Sequence, residues 1–218
     1  MKNSYDLDHI NEFTYSLKIY GENNYIIYRI IKKMLKSSYY DTDSSTLFFV
    51  AENIISLKDC LLKSTEKRLP YKHCLKMIDD LTKQIIYLKN VDYGFYGFDI
   101  EDILKIDNTY IFCSTQYLMT LTDDTFVFVS PIKSPYFSNP EIIELTTLPS
   151  EISHKCVYYS FGLLMTFCLL GTYLLVGNEI KSEEEIDKNL YSLNNTKIYW
   201  FLKRCLEEKS NKRNLLLI

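Results

Sequence analysis

From Val157 to Val176 the chain carries no charged side chain, and this run constrains every fold open to it. A stretch that is apolar on all sides has to be enclosed by protein or by lipid. Its length is close to that of a bilayer-crossing helix, so a membrane span over 157–176 is one reading. Ser160, Gly162, Thr166, Gly171 and Thr172 interrupt it with small and polar groups, which favours the other reading, a helix at the centre of a globular core. At 218 residues the chain is long enough to enclose such a helix in one or two domains.

The charge balance narrows the partners. A formal net charge of -3, with Lys and Arg spread along the chain, gives no basic stripe to track a phosphate backbone, so no nucleic-acid partner is expected. Cys60, Cys74, Cys113, Cys156, Cys168 and Cys205 lie far apart, without C-x-x-C spacing or a nearby histidine pair. Neither a zinc site nor a disulfide framework follows, and buried free thiols are expected. Met1-Lys2-Asn3-Ser4-Tyr5-Asp6 lacks the apolar core of a signal peptide. The expected location is intracellular, in cytoplasm or nucleus. The bias towards Ile, Leu, Lys, Asn and Tyr is that of an AT-rich genome, as in large DNA viruses and intracellular parasites.

Periodicity places the main elements. Residues 11–20 read as a strand, and 24–35 as a helix with Ile26, Ile27, Ile30, Ile31 and Met34 on one face. Leu47 to Glu52 reads as a buried strand ending in an acid. Pro70 opens a helix to about Leu88, with Leu75, Ile78, Leu81, Ile85 and Leu88 on one stripe. Residues 103–107 and 110–113 form a hairpin about Asn108-Thr109, and Ser182 before three glutamates caps a helix. His9, His73 and His154 are isolated and read as surface or satisfied histidines.

Leu88 to Leu104 resembles, without a gap, the protein-kinase catalytic loop L-H-x-x-x-I-x-H-R-D-L-K-P-E-N-I-L. Four further strings are similar to kinase patterns in the same order: Val50 to Leu61 (hinge, with Glu52 as the hinge acid), Tyr136 to Glu141 (Y-x-x-A-P-E), Val157 to Leu164 (V-Y-S-F-G-I-L-L) and Leu202 to Arg213. The resemblance covers 47–213. It implies an α+β, protein-kinase-like fold, with a reduced β-containing N-terminal lobe over 1–52 and a mainly helical C-terminal lobe over 53–218. It also implies a structural ion pair between Glu141 and Arg213.

The reacting groups of the family are altered. Phe95, Tyr96 and Gly97 stand in the places of His, Arg and the catalytic Asp. Asp99 falls on the loop Lys and Asp102 on the metal-binding Asn. Thr115-Gln116-Tyr117 replaces the magnesium-binding D-F-G. Lys18 is the candidate for the strand Lys that holds nucleotide phosphates, although no Gly-rich loop precedes it, and Asp102 is the candidate metal ligand. The resemblance therefore implies a pseudokinase that needs no cofactor, with weak binding of ATP and magnesium left open. Its partner would be a protein, a kinase or a kinase substrate, engaged through the helical lobe and the 117–141 segment. The enzyme alternative is a divergent serine/threonine kinase with Asp99 as base.

Overall fold

The computed structural model describes residues 4–35, 37–176 and 179–216 as an α+β fold with small antiparallel sheets and seven α-helices among those residues. β1 (Tyr5–Asn11) and β2 (Thr14–Ile19) form a hairpin, α1 (Asn24–Met34) follows, and β3 (Ser38–Asp41) and β4 (Thr46–Val50) complete a four-stranded sheet in the order β1-β2-β4-β3. The single strand expected over 11–20 is thus corrected to a turn and a shorter strand. The Asn11 side chain accepts from the N–H groups of Phe13 and Thr14, at 3.4 and 3.2 Å, and reverses the chain there. The helix expected over 24–35 forms, and Ile26, Ile27, Ile30 and Ile31 are all buried.

The remaining residues build around two long helices. β5 (Ile54–Ser56) leads into α2 (Leu57–Lys63), capped by the Ser56 hydroxyl, and α3 (Tyr71–Lys89) starts after Pro70. β6 (Tyr93–Phe95), β7 (Ile103–Ile106), β8 (Thr109–Phe112), β9 (Leu118–Thr120) and β10 (Thr125–Phe128) follow. They pair as β5-β7-β8, β6-β9 and, with β11 (Ser150–Ser153), β10-β11. The β7–β8 turn sits on Asp107-Asn108, one residue earlier than expected, because Ile106 pairs with Thr109. Asp107 takes a left-handed conformation, φ 51°, which Asp tolerates.

On α3, Ile78, Leu81, Ile85 and Leu88 are buried as expected, while Leu75 is only half-buried. Two buried polar side chains sit among them, one turn apart. Asp80 accepts the Tyr110 N–H at 2.9 Å, and Gln84 bonds the Tyr110 carbonyl and the Phe112 N–H at 2.8 and 3.0 Å. β8 is the edge of its sheet, and these side chains satisfy backbone groups that would otherwise be buried unpaired.

The short α4 (Pro140–Ile143) precedes the charge-free run, which forms α5 (Cys156–Leu170). Fifteen residues span about 22 Å at 1.5 Å each, short of the ~30 Å bilayer core. Gly171, with φ 67°, ends the helix in a left-handed cap. The chain then turns into the small hairpin β12 (Leu175–Val176) and β13 (Glu179–Ile180). The membrane span over 157–176 is therefore overturned: no helix of the described residues is long and apolar enough to cross a membrane. α6 (Glu183–Leu190) begins with the expected Ser182 cap, here a reciprocal capping box with Glu185, and α7 (Lys197–Cys205) packs on α5. All six thiols are free, five of them buried and Cys60 half-buried.

Candidate functional site

An open cleft of about 810 Å³ runs between the edge of β1 and the loop that links β6 to β7. Asp6 and Asp8 line it from β1, Asp99, Glu101 and Asp102 from the loop, and Lys58 and Lys133 supply the only cations among its lining residues. Lys58 is already paired with Glu101 at 2.8 Å, a contact that holds the Glu101 carboxyl below its ordinary range. Five carboxyls against two ammonium groups make this an acidic wall. Polyphosphate is disfavoured there unless a cation accompanies it.

The loop itself is packed as core. Phe95 is buried against Phe98 and Phe112, with ring centroids 5.7 and 4.8 Å away. Tyr96 sits edge-on to Tyr117 and Phe128, and burial pushes its hydroxyl up to about 12. Gly97 lies directly under Pro135: a Cβ at this position would be 2.1 Å from the proline Cγ. Asn139, fully buried, donates to the Tyr96 carbonyl at 2.8 Å and contacts the Ser160 hydroxyl of α5 at 3.0 Å. The loop is thereby tied to the central helix through neutral groups.

Asp99 is a clamp. Its Oδ1 accepts the Tyr136 N–H at 2.6 Å, while Oδ2 accepts the Tyr117 hydroxyl at 2.6 Å and the Gln116 amide at 3.2 Å. The Tyr117 hydroxyl is raised well above its usual value, first by burial and then by this bond. With the antiparallel bridge from Phe98 to Phe137, Asp99 fastens residues 135–137 over the loop.

Asp102 closes a capping box: it accepts the Asp99 N–H at 2.9 Å and bonds the Ser114 hydroxyl. Burial raises its carboxyl to about 6, and these two bonds oppose that rise only in part. Because this folded value lies above the unfolded one, the folded state holds the extra proton between about pH 4 and 6. Asp102 therefore favours folding at low pH, and that contribution is lost as pH rises through this window. Melting curves of the protein and of Asp102→Asn across pH 4–7 should differ by this slope, the variant lacking the decline. Parallel curves would show that Asp102 ionises as it does in the unfolded chain.

Tyr5, from β1, reaches across the cleft. Its hydroxyl is raised first by burial and then by the neighbouring Cys113 thiol, and it lies near enough to Asp102 to feel its charge. The Thr115 hydroxyl donates to the Tyr20 carbonyl at 2.8 Å, a second tie between the first sheet and the rest of the chain. A third is Asp107, whose carboxylate accepts the N–H groups of Glu52 and Asn53, both at 2.8 Å.

The other expected residues lie elsewhere. Lys18 is exposed on β2, where alternation buries Leu17 and Ile19, and it does not line the cleft, so its assignment as the phosphate-holding Lys is not supported by position. Glu52 is exposed, beyond the end of β4, and only its backbone N–H is engaged. No group of three or more metal-binding side chains converges among the described residues. Glu141 and Arg213 do meet, at 2.8 Å, with Arg213 at 0 % exposure. His73 contacts the Tyr110 hydroxyl and buried His154 the Tyr158 hydroxyl, while His9 is exposed and stacks on Tyr15.

Sequence reasoning missed Tyr5, Asn139 and Ser160. Asn139 carried a signal as a helix cap before proline; Tyr5 carried none, since nothing local tells which tyrosine crosses a cleft. No protein-family model matches the chain, and no curated protein matches it.

Proposed function

We propose that the chain is a protein-kinase-like fold without phosphoryl-transfer activity, acting as a binding scaffold for a protein partner, a kinase or kinase substrate. The observation that carries this reading is the loop at Gly97 to Asp99. The position aligned with the catalytic carboxylate has no side chain and no room for one, and the nearest alternative carboxylate is consumed in holding Tyr136 and Tyr117. Phosphoryl transfer needs a carboxylate to orient the hydroxyl, cations on the phosphates and metal ligands. The acidic cleft, the outward Lys18 and Thr115 bonded to Tyr20 all argue against these parts.

Three features support the family reading. A helix is inserted before the last two strands of a sheet in the order β1-β2-β4-β3, an all-round buried helix lies at the centre, and Glu141 pairs with a buried Arg213. The divergent-kinase alternative requires Asp99 to release both Tyr136 and Tyr117 before acting as base.

The test is a thermal-shift titration with ATP, with and without magnesium, beside a phosphate-transfer assay on a general protein substrate. A ligand specific for the folded state stabilises by about 2.7 kcal/mol at a hundredfold excess over Kd. We expect no magnesium-dependent shift and no transfer. Transfer that disappears in Asp99→Asn would make the chain an enzyme and sink this reading.

A further inference from the structure

We propose that the free edge of β1 is a docking site for an extended basic segment of a partner protein, which adds to the first sheet as an antiparallel fifth strand. The proposal rests on backbone direction and charge and does not depend on the kinase-like reading. β1 stands at the end of the order β1-β2-β4-β3 and, among the described residues, pairs with β2 alone.

The register fixes which backbone groups of that strand are open. One step beyond the Tyr5–Ile19 pair, the Ser4 carbonyl accepts the Tyr20 N–H at 2.9 Å. Along an antiparallel pair, residues that exchange hydrogen bonds with the partner strand alternate with residues that turn away. Asp6, opposite Lys18, and Asp8, opposite Ser16, are therefore bonded to β2, while Tyr5, Leu7 and His9 direct N–H and C=O outward. The far side of β2 agrees: Ile19, opposite Tyr5, donates its N–H away from β1, to the Tyr28 hydroxyl at 2.6 Å. The outward groups of Tyr5, Leu7 and His9 have no backbone partner among the described residues. The cleft of about 810 Å³ lies open beside them, so an incoming strand has room.

Charge selects the occupant. Asp6 and Asp8 share one face of the edge, both are exposed, and neither has an ion-pair partner among the described residues. Across the cleft Asp99 adds a carboxylate held by neutral donors, and Lys58 is spent on Glu101. A strand with Lys or Arg opposite Asp6 and Asp8 gains two cross-strand ion pairs, which also set its register. Main-chain bonds to Tyr5, Leu7 and His9 supply the affinity, as in other cases of strand addition. A second copy of β1 fits badly, because every antiparallel register centred on Asp6, Leu7 or Asp8 sets one aspartate opposite another. The same carboxylates repel a nucleic-acid backbone.

The probe is the fluorescent peptide acetyl-Thr-Lys-Val-Lys-Val-Lys-Thr-amide, read by anisotropy. Its first two lysines are placed opposite Asp8 and Asp6, and its valines opposite Leu7 and Tyr5. N-methylation of both valines removes the N–H groups that face β1; N-methylation of the first two lysines removes only groups that face solvent. Charge is the same in all three peptides. We expect the parent and the lysine-methylated peptide to bind, the valine-methylated one to bind at least about tenfold more weakly, and Asp8→Lys to weaken the parent by about tenfold or more. Asp8 is exposed and the substitution keeps its backbone bonds to β2, so the variant should melt like the parent protein. On saturation, amide exchange at Tyr5, Leu7 and His9 should slow, while that at Asp6 and Asp8 stays as it was. Equal binding of the two methylated peptides, unchanged binding in Asp8→Lys, unaltered exchange at Leu7, or no binding at millimolar peptide overturns the proposal. So does a dimer at working concentration that protects the same amides, since a second copy would then be the occupant.

Discussion

Glu141→Ala is expected to lower stability by about 3–5 kcal/mol, or roughly 6–20 °C in melting temperature for a chain of this size. Arg213 is wholly enclosed, and its Nη1 reaches both Glu141 oxygens, at 2.8 and 3.0 Å. Its Nε and Nη2 donate to the carbonyls of Glu207 and Glu208, at 2.6 and 2.7 Å, and its plane faces the Tyr159 ring at 4.9 Å. Removing the carboxylate leaves a desolvated guanidinium with neutral acceptors alone. Glu141→Gln keeps one hydrogen bond and should lose less. Glu141→Leu/Arg213→Met, which removes both charges, should be milder than the sum of the single variants. Chemical denaturation of the set decides it: a loss below about 1 kcal/mol for Glu141→Ala would mean that the pair is solvated and holds little together.

Gly97→Asp, which writes the catalytic carboxylate of the resembled family back into the loop, should destabilise the protein and give no phosphate transfer. The Pro135 Cγ and Cβ lie 2.1 and 2.7 Å from the position of a Cβ at Gly97, and a proline ring has no rotamer by which to retreat. The backbone beside it is fastened by the Tyr136 N–H to Asp99 and by the Ser138 hydroxyl to the Pro135 carbonyl. Overpacking of this kind costs about 1–3 kcal/mol, and a carboxylate without a partner at this buried position adds to it. Adding Pro135→Ala to Gly97→Asp should recover part of the loss, because it removes the colliding ring carbon. A Gly97→Asp variant that melts like the parent and transfers phosphate from ATP would overturn both the packing argument and the scaffold reading.

Legibility followed the range of the interactions involved. α1, α3 and the Ser182 cap were readable because each depends on spacing of three or four residues, which local sequence displays. The hairpin at Asp107 was readable to within one residue, since Asp and Asn both accept the turn and only the Ile106–Thr109 pairing chooses between them. The strand expected over 11–20 failed because alternation does not show where a short Asx turn interrupts it. Lys18 shows a related dependence: a residue's face on a strand is set by register, and register depends on the partner strand, so the sequence left both an exposed and a phosphate-facing lysine open.

By itself, the sequence determined that a charge-free segment had to be enclosed, that the thiols had no framework to join, and that Gly97 could not supply a carboxylate. Composition and spacing suffice for these, because they are properties of residue types. Only the tertiary structure decided between core and bilayer for α5, by ending the helix at Gly171 and surrounding it with α3 and α7. It alone showed Asp99 accepting the Tyr136 N–H and the Tyr117 hydroxyl, and it brought Glu141 and Arg213 within bonding distance across 72 positions. Hydrogen bonding and desolvation act over a few ångströms of space, and the separation of two residues along the chain says nothing about that distance until the fold has closed.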